Sequence, residues 1–112
     1  MSLPFLVCAA ITVVSSLVSL GYSVAALLGA SAGEVALARY AASRSVALAA
    51  ICAVPLMTGS AGQLALAAGA MTIVQALDAL IGFRAGDPMK TWGPAATATA
   101  NLAAVIWMLA AP

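Results

Sequence analysis

The sequence predicts an all-α protein: a bundle of four transmembrane helices that forms a single integral membrane domain over residues 1–112. Apolar residues make up 65% of the chain, whereas soluble domains contain about 45–50%. Only four basic and three acidic residues are present, too few for the surface of a soluble domain of this size. Long apolar runs also recur between short segments rich in Gly, Ser and Pro. These runs predict helices over residues 4–28, 34–57, 63–83 and 92–110.

The first apolar run extends from Pro4 to Leu28. At 1.5 Å per residue it spans roughly 37 Å, enough to cross a hydrocarbon layer of about 30 Å. No Lys or Arg precedes it, and it exceeds the core of about 7–15 residues of a signal peptide, so we expect a retained helix. Its later half carries hydroxyl groups at Ser15, Ser16, Ser19 and Ser23. Such a polar face is expected to point toward protein or a polar cavity.

The other three helices follow from the segments between them. Glu34 opens helix 2, where an acidic side chain complements the helix dipole. Residues 58–62 form an uncharged turn before helix 3. Residues 84–90 contain Gly, Asp and Pro and predict a second loop. Helix 4 is then expected to begin near Trp92, with Pro94 in its first turn.

Basic residues predict the orientation in the membrane. Arg39, Arg84 and Lys90 flank the two loops, whereas the termini and the middle turn carry no Lys or Arg. Because basic residues remain on the cytoplasmic side, both loops are expected in the cytoplasm and both termini outside. We therefore expect a protein integral to the cytoplasmic (inner) membrane.

Two arginines and one aspartate define a candidate site. Arg44 lies within an apolar run, where an arginine costs roughly 2.5–3.5 kcal/mol unless it faces a partner or a polar cavity. Counted along the helices, Asp78 lies at a depth between Arg39 and Arg44. We therefore predict that both arginines meet Asp78 inside the bundle; alternatively, Asp78 pairs with Arg44 while Arg39 extends to the membrane interface. Arg44 and Asp78 are the candidate catalytic residues, and Arg39 is a candidate ligand-binding residue.

Four further side chains are candidates for ligand binding: Gln75, Asn101, Tyr22 and Tyr40. Gln75 shares a helix face with Asp78, three residues on. The two amides are expected to complete the hydrogen bonds that a desolvated ion pair needs, and the tyrosines offer hydroxyl donors. Two cations facing one acid leave an excess positive charge that suits an anion, a carboxylate or an enolate-like oxygen. Alternatively, the ion pair only clamps two helices together.

Several chemistries are disfavoured by composition. The chain has no His and two Cys, at positions 8 and 52, without a CxxC pattern. We therefore expect no metal, haem or other cofactor, and no Ser-His or Cys-His catalytic pair. Cys8 and Cys52 lie at similar depths and could touch, but free thiols are the favoured state inside apolar helices. A net charge of +1 predicts no nucleic-acid partner.

The segments ARYAASRSVALAA (residues 38–50) and LALAAGAMTIVQALDALIGFRAG (residues 64–86), followed by an Ala-rich helix, carry a family resemblance. From about Gly21 onward the chain resembles small bacterial four-helix membrane proteins that look like distant relatives of the DoxX family. That group has no secure common activity to transfer. Its members often place a histidine in helix 4, where this chain has Thr97 and Asn101, so histidine-based proton chemistry is not implied.

Three functions remain open at the level of sequence. The first is a membrane site for a small hydrophobic ligand that carries an oxygen function or a negative charge, serving either binding alone or a cofactor-free isomerase or cyclase. A paired carboxylate is a poor base, which favours binding over catalysis. The second is a structural or accessory subunit that packs through its helices. The third is a small dimeric transporter, although helix 1 lacks the acid that cation transporters of this kind use. Expected partners are membrane lipid and either a second copy or another membrane subunit.

Overall fold

The computed structural model describes residues 1–111 and confirms the all-α class. Its helices are α1 (Leu3–Leu28), α2 (Val35–Thr58), α3 (Ala61–Arg84) and α4 (Pro88–Ala110). All four are long and apolar enough to cross a membrane.

Side-chain caps and one glycine set the helix ends. The side chains of Ser2, Ser60 and Asp87 each accept a hydrogen bond from the backbone N–H three residues later, at 3.2–3.3 Å. These bonds satisfy amides that have no partner within the helix. At the end of α2, Gly59 adopts φ 68° and its N–H donates to the carbonyl of Pro55 at 2.8 Å. Glycine suits this left-handed position because it has no Cβ.

Helix α4 begins earlier than predicted. The Asp87–Pro88 pair was expected to lie in a loop, but Asp87 is the N-cap and Pro88 occupies the first turn of the helix. Proline suits that position because its missing N–H would be unpaired there in any case. Pro94 consequently lies inside the helix rather than in its first turn.

The start of α4 packs closely against the end of α3 at Gly82. Pro94 has no N–H, so the carbonyl of Lys90 lacks its usual donor four residues later. That carbonyl lies against Gly82, where an added Cβ would overlap it and come within 2.9 Å of the N atom of Thr91. A glycine is therefore needed for this close approach.

The four helices form a flattened rhombus. Helices α1 and α3 contact each other and both remaining helices, whereas α2 and α4 do not contact one another. The bundle accordingly measures 51 × 26 × 15 Å. Helix α2 contacts only α1 and α3. It buries only three described residues, Ser45, Cys52 and Pro55.

The charged residues all lie in one half of the bundle. The segment between α1 and α2 and the turn between α3 and α4 share one end, and all seven charged residues lie in the half that leads to it. We call this the charged half. The uncharged half leads to the turn between α2 and α3.

The two halves have different interiors. The uncharged half contains an apolar cluster formed by Phe5, Cys8, Ala9, Leu64, Ala68, Ala104, Val105 and Met108. A smaller cluster of Cys52, Ala67 and Met71 adjoins it and extends to mid-bundle. In the charged half, the described buried residues are polar or small, including Ser45, Gln75, Gly82 and Ala98. The large apolar core is thus confined to the uncharged half and the middle.

Candidate functional site

Arg44 of α2 and Asp78 of α3 form an ion pair. The distance from Arg44 Nη2 to Asp78 Oδ2 is 3.4 Å. The predicted pairing of these two residues is therefore confirmed, and the contact between α2 and α3 explains it.

The pair does not lie inside the bundle, as the sequence had suggested. The side chain of Arg44 is 48% exposed and that of Asp78 is 28% exposed. The reason is rotation about the helix axis. Ser45 is fully buried, and its neighbour Arg44 is turned about 100° away from it. Similarly, Gln75 points inward, and Asp78 is turned about 60° from it. The ion pair therefore lies at the surface seam between α2 and α3.

Arg39 does not join the pair, so the predicted arrangement in which Asp78 meets both arginines is wrong. Five residues separate it from Arg44, so the two side chains leave α2 about 140° apart. Arg39 instead lines a groove with Leu27 of α1. Within residues 1–111, Arg44–Asp78 is the one ion pair shorter than 4.0 Å. Similar depth in the membrane was not sufficient for contact.

Asn101 connects α4 to α1 rather than to the ion pair. Thr12 Oγ1 donates to Asn101 Oδ1 at 3.2 Å. Asn101 Nδ2 donates to Ser15 Oγ at 3.0 Å and to the carbonyl of Thr97 at 2.9 Å. Asn101 cannot complete the hydrogen bonds of Arg44, because α4 and α2 do not contact each other.

Gln75 lies in the interior of the charged half, with a side chain that lacks one hydrogen bond. The residue is 5% exposed, and its Oε1 atom is buried without a partner among the described residues. A buried acceptor without a donor is unfavourable by about 1–3 kcal/mol. Gln75 makes no hydrogen bond to Arg44, although it precedes Asp78 by one helical turn.

A series of hydroxyl groups extends through the middle and the charged half. Ser23 Oγ donates to the carbonyl of Ser19 at 2.9 Å and lies 2.7 Å from Ser45 Oγ. Ser15 and Ser16 are buried, which confirms the predicted protein-facing serine face of α1. Sequence reasoning missed Thr12 and Ser45. Thr12 extends the same helical face by one turn, so the spacing alone could have identified it.

The two tyrosines do not reach the ion pair. Tyr22 is 67% exposed and Tyr40 is 75% exposed. Tyr22 follows the same rule as Arg44: its neighbour Ser23 points toward α2, and Tyr22 is turned about 100° away. Both tyrosine hydroxyls are thus available only to molecules outside this bundle.

The cysteines and acidic residues do not form a metal site. Cys8 and Cys52 are buried free thiols that belong to different apolar clusters. Within residues 1–111, no group of three or more His, Cys, Asp and Glu side chains comes together.

One acidic group at the charged end is held in its ionised form. Glu34 accepts hydrogen bonds from the hydroxyl and the backbone N–H of Ser31. The hydroxyl bond is the main reason why the pKa of Glu34 lies below its ordinary value, with the backbone bond and the charge of Lys90 adding to it.

Two shallow grooves lie on the surface of the bundle. The α1–α2 groove has a volume of about 490 Å³ and is lined by Leu27, Arg39, Ala42, Ser43 and Val46. The α4 groove has a volume of about 600 Å³ and is lined by Trp92, Ala95, Ala96, Thr99, Ala100 and Ala103.

Comparison with known proteins identifies no relative of this chain: no protein-family model matches it, and neither does any curated protein or solved structure. The resemblance to DoxX-like membrane proteins therefore stays a prediction.

Proposed function

We propose that this chain is an integral membrane protein that binds a small hydrophobic ligand through an oxygen function or a negative charge, at the Arg44–Asp78 pair. The observation that carries the proposal is the state of the Arg44 guanidinium. It is half exposed and donates a single hydrogen bond, to Asp78, among the described residues. A guanidinium has five N–H donors. Most of them are thus free to bind acceptor oxygens.

The position of Arg44 favours a ligand with an apolar body. Arg44 lies nine residues into α2, or about 14 Å along the helix axis. Leu48 of α2 and Val74 of α3 each lie four residues deeper than a member of the pair, on the same helix face, and both are partly exposed. Lipid tails offer no hydrogen-bond acceptor, so a cation at this depth is stabilised by a ligand that brings an acceptor oxygen. The pair itself makes binding a better-supported role than catalysis, since Asp78 is engaged with Arg44 and a carboxylate held by a guanidinium is a weak base.

For the location, we infer the cytoplasmic membrane of a bacterium, with the charged half toward the cytoplasm and both termini outside. Support comes from the basic residues Arg39, Arg84 and Lys90, which lie near the same end of the bundle. That distribution is typical of cytoplasmic loops.

Oleate is a suitable probe, because it combines one carboxylate with a long apolar chain. Its binding would be measured by native mass spectrometry of the purified protein in mild detergent, with and without added oleate. We expect oleate adducts on the wild type and at least a tenfold weaker affinity for Arg44→Gln, as expected for loss of a charge-assisted hydrogen bond. Arg84→Gln removes the same charge from an exposed position at the end of α3 and should bind as the wild type does.

Molecules that remain bound after purification would also be identified in the same spectra. Equal oleate binding by the wild type and Arg44→Gln, together with no molecule retained by the wild type, would contradict the proposed site. Circular dichroism of each variant separates loss of binding from loss of fold.

A role as a packing subunit is the second candidate, and the α4 groove favours it. Ala95, Thr99 and Ala103 follow one another at four-residue spacing in this groove. Small residues at this spacing permit close approach of another transmembrane helix. If this role is correct, Ala95→Leu together with Ala103→Leu should weaken self-association or copurification with a membrane partner and leave oleate binding unchanged.

A further inference from the structure

The α1–α2 groove lies on the side of α2 away from the ion pair. Arg39, Ser43 and Val46 line it at successive turns of α2, and Leu27 contributes from the end of α1. Arg39 lies one turn inside α2, and Val46 lies seven residues deeper, or about 10 Å along the axis. The groove is therefore basic near the charged end and apolar deeper in the bundle.

The basic group of this groove has no counter-ion within the chain. Within residues 1–111, Arg39 makes no ion pair shorter than 4.0 Å, whereas Asp78 is engaged by Arg44. Glu34, the nearest acid along the sequence, bonds to Ser31. Arg39 thus carries a charge that the protein does not neutralise by direct contact.

We infer that the α1–α2 groove binds an anionic phospholipid from the surrounding membrane. The order of groups along the groove matches such a lipid. Arg39 binds the phosphate near the membrane surface, at the level where Leu27 lines the groove from the end of α1. Ser43 donates its hydroxyl to an oxygen of the glycerol esters, and the acyl chain extends deeper along Val46. The inference rests on the membrane placement in the proposed function, but not on any ligand at Arg44.

Charge complementarity distinguishes this occupant from others. A second helix that carries no acid at this level would bury Arg39 unpaired, which is unfavourable in lipid. A zwitterionic lipid offers a phosphate but carries its own cation, so it competes less well for an unpaired arginine. An anionic phospholipid supplies both the missing charge and the apolar chain.

The test compares two arginine variants in nanodiscs that contain phosphatidylglycerol and phosphatidylcholine in equal amounts, with identical acyl chains. Native mass spectrometry after release into mild detergent counts each lipid on the protein. We expect the wild type to retain phosphatidylglycerol preferentially, and Arg39→Gln to lower that preference about tenfold, as for a lost charge-assisted hydrogen bond. Arg84→Gln removes an equal charge near the same end but does not line the groove. It should keep the preference to within about threefold.

Several outcomes would overturn the inference. An equal loss of preference in both variants would show that surface charge alone attracts the lipid, and an absence of preference in the wild type would show that the groove does not select. Displacement of the lipid by inorganic phosphate alone would show that only the headgroup is recognised. Oleate binding in Arg39→Gln keeps the two proposals apart, since the Arg44 site should retain it.

Discussion

The two halves of this bundle are built from different side chains. The uncharged half buries Phe5, Leu64 and Met108 in one apolar cluster. The charged half buries hydroxyl and amide groups and small residues, with Gln75 lacking a donor for its Oε1 atom. Within a bilayer, close packing rather than exclusion of water stabilises helix contacts. We conclude that the uncharged half contributes most of the packing energy, whereas the charged half carries the groups that can recognise other molecules.

The largest expected effect comes from the core of the uncharged half. Leu64 in the uncharged half and Ser45 in the charged half are both fully buried, so alanine substitutions at the two positions can be compared at equal burial. Leu64→Ala should lower the free energy of unfolding by about 2–3 kcal/mol, the lower part of the range for buried leucines, because in lipid the lost contribution is mainly packing. Ser45→Ala removes one hydrogen bond, to Ser23, and should cost about 0.6 kcal/mol. Unfolding by SDS in mixed micelles measures both, and equal losses would contradict the distinction between the halves.

The next effect concerns close packing at the charged end. Gly82→Ala places a methyl group on the backbone of α4 at Lys90 and should destabilise the protein by about 1–3 kcal/mol, as overpacked sites do. Gly69 lies on the same helix, and a Cβ added there meets no atom within 4 Å. Gly69→Ala should therefore be neutral or stabilising, by up to about 1 kcal/mol. Thermal unfolding in detergent would compare them, and similar melting temperatures would argue against the tight contact.

A smaller effect is expected where the two halves meet. Asn101→Leu removes two hydrogen bonds between α4 and α1: Thr12 donates one to Asn101, and Asn101 donates the other to Ser15. The free energy of unfolding should fall by about 1–2 kcal/mol, at the values known for membrane helices. Thr12→Val combined with Ser15→Ala in the same protein should recover part of the loss, because the hydroxyl groups left without a partner are then removed. As a control, Thr99→Val removes a hydroxyl that bonds only within α4. A neutral Asn101→Leu would show that the network does not hold α4 to α1.

The smallest effect tests whether sensitivity to pH belongs to the charged half. The pKa of Glu34 lies below its ordinary value in the folded protein, so its ionised form favours folding. That contribution is complete above the unfolded pKa of about 4.3 and disappears as pH falls through the lower folded pKa. The wild type should therefore lose its small advantage over Glu34→Gln on acidification. Melting curves of both proteins at neutral and acidic pH measure the difference in melting temperature between them. A difference that does not change with pH would exclude a contribution of ionised Glu34 to folding.

The sequence predicted the positions of side chains along the helices but not the directions in which they point. Hydropathy identified all four helices, and residue spacing predicted that Arg44 and Asp78 are close enough to pair, because depth depends only on the rise per residue. The direction in which each side chain leaves its helix was not predictable in this way. Apolar residues cover both the core and the lipid-facing surface of a membrane helix, so hydrophobic periodicity does not mark the inner face.

Errors about direction account for the misplaced site residues. Arg39 and Asn101 have suitable depths, but Arg39 lies about 140° around α2 from Arg44, and Asn101 belongs to a helix that does not contact α2. The burial of Ser45 beside an exposed Arg44 likewise depends on which helices are neighbours. Serine spacing on α1 was the exception, since repeated polar residues mark a helix face even where apolar residues do not.

The confinement of charge to one half has a consequence for how the chain enters a membrane. In the proposed orientation, the turn between α2 and α3 crosses the bilayer, and it contains Gly59 and Ser60 and no charged side chain. A charged side chain at the centre of a membrane-spanning helix costs about 2.5–3.5 kcal/mol on insertion scales. Helices α2 and α3 can thus insert together as a hairpin whose leading turn carries no charge, with Arg44 and Asp78 entering as an ion pair. In the proposed orientation, Arg39 and Arg84 stay on the side of synthesis, as basic residues that direct insertion do.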